Sequence, residues 1–316
     1  MHMDTFRGHT SLSSRLRSAV VAIGNFDGVH RGHAHIFQQA RGLATGLGGE
    51  SVVLTFDPHP AKLLAPAFAP PLITPLGRKL ELIAAEGIDA TVVEPFDRAF
   101  ASKSADAFVR DVLVDGLGAK HVVVGYDFTF GQKRSGTVQL LAELGPKLGF
   151  GVTVVPPFSV DGIVCSSTKV REFVLEGRVD GAALVLGRAP EVEGEIVHGD
   201  GRGRTIGVPT ANVMSETELL PKIGVYAGWG MRLADGKRWV AAINVGTNPT
   251  FVEGRSVSVE AHLVGCDEHL YGQRLRIGFV ARLRDEERFG SREALVAQIR
   301  RDVEAANHLM AGRLGD

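Results

Sequence analysis

The first half of the chain alternates short β-branched runs with amphipathic stretches. Val20 to Ile23, Ser51 to Phe56, Thr91 to Glu94, His121 to Val124 and Gly151 to Val155 read as strands. Their apolar positions are mostly continuous, as in parallel strands covered on both faces. Helical patterns lie between them. Thr74-Pro75 reads as an N-cap with proline at the first helical position, and Gly87 closes the run. Ser104 precedes the amphipathic Ala105 to Leu113, and Val138 to Leu148 is a further helix. This order predicts a doubly wound, Rossmann-like α/β domain whose ligands bind beyond the carboxyl ends of the strands.

The pattern changes near Leu186 to Pro190. Short alternating strands follow: Val192 to Val197, Val225 to Gly230, Trp239 to Val245, Ser256 to Leu263 and Leu275 to Leu283. They predict a small antiparallel β-barrel. Arg292 to Ala306 reads as a terminal helix, capped by Ser291, with Leu295, Ile299 and Val303 on one face. The expected class is therefore α/β + β, with domains at residues 1–187 and 188–316.

Composition narrows the class. A chain of 316 residues, 44% hydrophobic and 22% charged, suits two packed domains and excludes a disordered chain or a coiled coil. No apolar stretch reaches 18 residues and Met1 to Arg17 is polar, so a cytoplasmic protein with no membrane partner is expected. With 35 Lys+Arg against 36 Asp+Glu there is no basic excess, and no nucleic-acid partner is expected. Cys165 and Cys266 read as buried, reduced thiols rather than a disulfide. The 39 glycines are a surplus that is either linker or ligand cradle.

Chemistry concentrates in Gly24-Asn25-Phe26-Asp27-Gly28-Val29-His30-Arg31-Gly32-His33, which follows the first predicted strand and opens a helix. A helix N-terminus offers free N–H groups and partial positive charge, which suits phosphate. His30 and His33 are three apart and can face one ligand, steadying charge on a phosphoryl group. The same pair would also fit a metal completed by Asp57 or His59, or plain helix-start residues. Ser167 and Thr168 precede the helical run Lys169 to Glu176, a simple cap or, with Arg171, a grip on phosphate oxygens. Asp57-Pro58-His59-Pro60 is a rigid turn. In Asp127-Phe128-Thr129-Phe130-Gly131 the two phenylalanines share one face, as core aromatics or as a wall for a flat ligand.

The second half carries Gly201-Arg202-Gly203-Arg204-Thr205-Ile206-Gly207-Val208-Pro209-Thr210-Ala211-Asn212. It is no Walker P-loop, but its backbone N–H groups can form an anion nest. Thr210 and Asn212 are hard oxygen donors that suit Mg²⁺ together with phosphate and water. A flexible surface loop is the plain alternative. Glu260 shares a strand face with Ser258 and His262. If that face points into the barrel, burying the carboxylate needs a reason; if it points out, the residue is an ordinary exposed one.

The HxGH spacing at the first strand–helix turn resembles the nucleotidylyltransferase superfamily. The segments Thr55 to Pro60, Val124 to Gly131, Cys165 to Arg171, Pro209 to Asn212, Asn244 to Phe251 and Val259 to Leu263 resemble, in order, the prokaryotic bifunctional riboflavin kinase/FMN adenylyltransferases, or FAD synthetases. The resemblance spans nearly the whole chain. It implies an N-terminal nucleotidylyltransferase domain and a C-terminal kinase barrel, using ATP with Mg²⁺ and handling riboflavin, FMN and FAD. It implies nucleotide contacts at Gly24, Asn25, Phe26, Asp27, His30, His33, Ser167, Thr168 and Arg171 in the first reaction. For the second it implies Gly201, Gly203, Thr205, Gly207, Thr210 and Asn212, the last two beside the metal. Glu260 is implied as the general base, with His30, His33 and Arg171 acting on phosphate. Flavin contacts are implied at Asp57, His59, Asp127, Phe128 and Phe130, and at Arg284 and Phe289 in the barrel.

Overall fold

The computed structural model describes residues 3–12, 16–199, 207–247 and 257–313. They form two compact units, one of residues 1–71 and 76–165, the other of residues 72–75 and 166–316. The division falls between Cys165 and Ser166, while the helical stretch up to Leu186 lies with the second unit.

The first unit is a parallel sheet flanked by helices. Its strands are β1 (Asp4–Arg7), β2 (Val20–Ile23), β3 (Ser51–Asp57), β4 (Ala90–Pro95), β5 (His121–Gly125) and β8 (Gly151–Val155). They lie in the order β1-β4-β3-β2-β5-β8, and every pairing is parallel. Between β5 and β8, β6 (Thr129–Phe130) and β7 (Gly136–Thr137) form a small hairpin.

The period of two along a strand explains why this sheet must be covered twice. Val21 and Ile23 enter one hydrophobic cluster with Val52, Leu54, Val109, Leu113 and Leu141. Their neighbours Val20 and Ala22 enter another with Val53, Phe37, Leu82 and Ile83. The second face is covered by α1 (Arg31–Leu47), through Phe37, Ala40 and Ala44, and by α3 (Leu76–Ala85), through Leu82 and Ile83. The first face is covered by the run from Ala105, which Ser104 caps and which turns π-helical over Phe108–Gly116, and by α6 (Val138–Leu148). Short helices α2 (Pro60–Leu64) and α4 (Arg98–Ala101) lie after β3 and β4, and α5 is the turn Ala105–Ala107. The edge strand β1 has no apolar run, so the sequence pattern did not announce it. It is held by β4, and Glu94 accepts bonds from both the backbone N–H and the ring of His9.

The strand order reverses at β2, which has β3 on one side and β5 on the other. In an open α/β sheet the crevice at such a reversal is where ligands bind. The turns after β2 and after β5 both open there, and they are the Gly24–His33 and Gly125–Gly131 segments.

In the second unit, α7 (Ser167–Glu176) and α8 (Val179–Leu186) precede a closed six-stranded barrel. The ring is β11 (Glu191–Val197), β12 (Ala211–Ser215), β15 (Val257–Leu263), β14 (Arg238–Thr247), β13 (Gly224–Arg232) and β16 (Arg274–Arg284), with all pairs antiparallel. A two-stranded ribbon of β9 (Ser159–Val160) and β10 (Ile163–Val164) belongs to the first unit. The barrel core contains Val192, Val213, Tyr226, Ile243, Val245, Val259, Ala261, Ile277 and Phe279, and it takes in Val179 from α8. That contact is why α8 travels with the barrel. Strand β12 carries a motif that reads as a loop, and it was not anticipated. The terminal helix α9 (Arg292–Met310) is capped by Ser291 and rests Val303 and Ala306 near Ala227 and Ala242.

Candidate active sites

The turn after β2 is shaped by residues held against their preferences. Phe26 and Val29 have φ of +48° and +40°, and a β-branched residue with positive φ is a true outlier. The strain persists because both side chains are buried in the cluster beneath the turn. Phe26 packs edge-on against His33 and against Phe37.

His30 is the N-cap of α1. Its Nδ1 accepts the backbone N–H of His33, 3.3 Å away, so the neutral ring carries its hydrogen on Nε2. The two imidazoles stack at 3.5 Å between centroids and 22° between planes. Gly32 permits this: a Cβ there would lie 3.1 Å from the His30 ring and 3.1 Å from the Cys165 carbonyl. His30 and Asp27 are buried, while Asn25 is exposed. Among the described residues no three His, Cys, Asp or Glu are grouped to hold a metal ion. The metal-pair reading of His30 and His33 therefore finds no third ligand.

One residue beneath this turn escaped sequence reasoning. Lys79 of α3 is buried and donates to the Asn25 carbonyl at 3.3 Å and the Thr55 hydroxyl at 3.1 Å. Burial pushes its ammonium below the ordinary lysine range, against the opposing influence of Asp27 and Asp57. The signal was available: Lys79, Leu82 and Ile83 form one buried helical stripe, and a lysine belongs there only with a partner.

Asp57 ends β3, and the Asp57-Pro58 peptide is cis. His59 caps α2, its Nδ1 accepting the N–H of Ala61 at 3.2 Å. After β5, Asp127 is exposed. Phe128 and Phe130 stack with centroids 5.6 Å apart. Phe130 belongs to the hydrophobic core, where it meets Phe108, while Phe128 is only partly buried. Only Phe128 is thus placed as the face of an aromatic wall, with Phe130 as its backing. Cys165 is buried, as expected, and burial raises its thiol pKa; Cys266 is only half-buried, and both are free thiols.

In the second unit, α7 begins two residues earlier than its pattern suggests. Ser166 is the N-cap, its hydroxyl accepting the N–H of Lys169 at 3.2 Å. Ser167 and Thr168 are not caps but first-turn residues, where backbone N–H groups lack helical acceptors. Arg171 follows one turn on, half-buried.

On the barrel, the register places Asn212 directly opposite Glu260 and Glu260 directly opposite Asn244. Directly opposed residues share a face. Val213, Val259 and Val245 form the neighbouring row inside the core. Glu260 therefore faces outward, which corrects the inward reading: its carboxylate carries no core-burial penalty. Thr210 precedes Asn212 by two residues, and His262 Nδ1 donates to the Pro209 carbonyl at 2.8 Å, tethering that segment to β15. Gly199 approaches Asn212 so closely that a Cβ would lie 2.3 Å from its amide. The site thus sets an amide and a carboxylate side by side, with the Thr210 hydroxyl two residues along the chain, a donor set that fits a hard cation carrying phosphate. Gly201, Gly203 and Thr205 lie outside the described residues; Gly207 is described, with φ of +77°.

Arg284 is engaged by α9. Its guanidinium donates to both Asp302 oxygens, at 2.8 to 3.2 Å, and lies over the Phe289 ring. The two proposed flavin residues Arg284 and Phe289 are thus brought together, with the guanidinium pinned by Asp302.

Comparison with known proteins bears on both units. Residues 12–169 match the family described as FAD synthetase, and residues 186–310 match riboflavin kinase. A bifunctional riboflavin kinase/FMN adenylyltransferase from Pseudomonas fluorescens is 38% identical over 309 residues, covering 98% of each chain. The protein of that name from Escherichia coli K12 is 39% identical, covering 95% of this chain and 96% of its own. A solved structure described as a macrolide-efflux protein from Streptococcus pneumoniae matches with a TM-score of 0.85 at 29% identity, covering 96% of this chain and 99% of that one. Among the described residues no helix is long and apolar enough to cross a membrane. The FAD synthetase and riboflavin kinase matches, following one another along a chain aligned almost end to end with its relatives, place this protein in the bifunctional riboflavin kinase/FMN adenylyltransferase family.

Proposed function

We propose how the two activities are divided among residues: the boundary falls near Gly187, adenylylation of FMN belongs to residues 1–187, and phosphorylation of riboflavin to residues 188–316. The observation that carries the kinase assignment is the Asn212–Glu260–Asn244 row beside Thr210. Glu260 takes the proton of the riboflavin 5′-hydroxyl as that oxygen attacks the γ-phosphorus of ATP; the bond to the β-phosphate oxygen breaks, leaving FMN and ADP. Thr210 and Asn212 would hold Mg²⁺, which supplies charge neutralisation on the phosphates when bound. Gly201, Gly203, Thr205 and Gly207 cradle the nucleotide, and Arg284 with Phe289 flanks the flavin.

In adenylylation the FMN phosphate is itself the nucleophile. Its oxygen attacks the α-phosphorus of a second ATP and pyrophosphate leaves, giving FAD. No strong protein base is needed. Gly24, Asn25, Phe26 and Asp27 shape the turn, and the His30 Nε2–H and the His33 ring donate to oxygens of the reacting phosphate. Support comes from the strained turn, the histidine stack and the strand-order reversal beneath them. Ser167, Thr168 and Arg171 are assigned to the outgoing phosphates on their motif, and Asp57, His59, Asp127 and Phe128 to the FMN side, with Phe130 behind Phe128. The anions handled are small and local, in keeping with the even charge balance, and we place the protein in the cytoplasm with no nucleic-acid or membrane partner.

The test is a time course with riboflavin, ATP and Mg²⁺, resolving FMN and FAD. FMN appears first and FAD follows. A Glu260 variant that still makes FMN at the wild-type rate, or a His30/His33 double variant that still converts FMN to FAD, overturns the corresponding half.

A further inference from the structure

Lys79 is a buried lysine in the first unit, and its position is specific. It sits on the core-facing stripe of α3, its side chain buried, and its ammonium reaches two segments at once. One bond goes to the backbone carbonyl of Asn25, in the turn after β2. The other goes to the hydroxyl of Thr55, near the end of β3. The Thr55 hydroxyl in turn donates to the same Asn25 carbonyl at 3.1 Å. The three groups close a triangle that fixes where the turn leaves β2.

The turn needs such a fixture. It holds two non-glycine residues at positive φ within four positions, and strained backbone persists only where surrounding contacts over-determine it. The ammonium has a second consequence. Asp27 and Asp57 are the carboxylates that act on it. Asp27 is buried within the turn and Asp57 ends β3, so a triphosphate bound at this turn would feel both negative charges. The Lys79 ammonium offsets part of that repulsion.

We propose that Lys79 is a positioning residue for FMN adenylylation, tying the nucleotide turn to β3 through Asn25 and Thr55 and offsetting Asp27 and Asp57 where ATP enters. This rests on the assignment of the Gly24–His33 turn to nucleotidyl transfer. Lys79 does not touch the reacting atoms; it sets the place of the groups that do.

The experiment uses the full chain and measures both reactions in the same preparations. In Lys79→Met the alkyl stem is kept and the ammonium removed. FMN adenylylation is expected to fall about 100-fold, the cost of a displacement near 1 Å in a site of this kind. The fall should appear in kcat and in a raised KM for ATP, with KM for FMN unchanged. Riboflavin phosphorylation should be unaffected, which reports that the chain is folded and the second unit intact.

Thr55 supplies the independent arm. Thr55→Val should lose adenylylation in the same direction, and Thr55→Ser, which keeps the hydroxyl, should restore it. The double variant Lys79→Met/Thr55→Val should be no worse than Lys79→Met alone, because both act through one hydrogen-bonded group. A purely structural role would lower the amount of folded first unit, seen as a lower Tm, without moving KM for ATP against KM for FMN. That result, or wild-type adenylylation in Lys79→Met, overturns the proposal. Failure of the underlying reading looks different: a His30→Ala/His33→Ala variant would then keep adenylylation whatever Lys79 does.

Discussion

Glu260 stands directly across the β12–β15 pair from Asn212, on the outer face of the barrel. A carboxylate and an amide at this spacing, with Thr210 two residues away, present acceptors together at one surface rather than in a core. Glu260 is thus half-buried at that surface rather than enclosed in the core, and in the proposed reaction its task is set by what binds beside it.

Glu260→Gln keeps the shape of that row and removes the base. Riboflavin phosphorylation is expected to fall about 10²- to 10⁴-fold, the usual share of general-base catalysis, while FMN supplied directly is still converted to FAD. Chromatographic separation of FMN and FAD from the same reaction reads both. Retention of the phosphorylation rate would remove Glu260 as the base.

In the proposed division the His30 and His33 rings act on the other reaction. His30→Ala/His33→Ala should cost about 10²-fold or more in FAD formation, the scale seen when charge-stabilising donors are removed, and leave FMN formation intact. Pyrophosphate release from FMN and ATP is the direct measurement. Equal loss of both steps in a folded variant would contradict the division of labour.

A third expectation concerns stability alone. Glu193 and Arg276 pair across β11 and β16, each side chain about 6% exposed. Arg276→Met leaves the Glu193 carboxylate buried without its partner and should destabilise the barrel by about 3–5 kcal/mol. Glu193→Gln/Arg276→Met, which removes both charges, should recover much of it. Chemical denaturation of the three proteins checks this, and an Arg276→Met variant as stable as wild type would refute it.

The pH response of the first unit has a named contributor. Burial lowers the His121 imidazole below its ordinary value of 6.5, and its Nε2 lies 2.8 Å from the Thr153 hydroxyl. As pH falls through 6.5 the unfolded chain takes up this proton before the folded one does. Stability from this group is thus full above that pH and is lost below it. His121→Gln should show a smaller fall in Tm between about pH 7 and 5 than wild type. Parallel curves for the two proteins would assign the acid sensitivity elsewhere.

The sequence made the parallel strands and the barrel legible because their patterns are unambiguous: Val20–Ile23 is apolar throughout, and Val257–Leu263 alternates. It hid β1 because Asp4–Arg7 has no pattern of its own and exists through pairing with β4 and the Glu94–His9 contact. It hid β12 because Ala211–Ser215 carries a motif that reads as a loop. The direction of Glu260 was undecidable from alternation alone, since period two says which residues share a face and not which face is inside. Lys79 was missed for a different reason: its partners lie 54 and 24 residues away in the chain, and only the fold brings them together.

The closed ring of β11 to β16 has a further consequence, for behaviour at high concentration. Every barrel strand is paired on both sides, so among the described residues the barrel strands offer another molecule no free row of peptide groups. The parallel sheet does have margins, at β1 and β8. Charged Asp4 and Arg7 guard the first, as edge strands commonly require. The second, Gly151–Val155, has no charged residue, and its Val154 is 40% exposed. Self-association of this protein through strand pairing would begin at β8, and a lysine in place of Val154 is the change that would guard it.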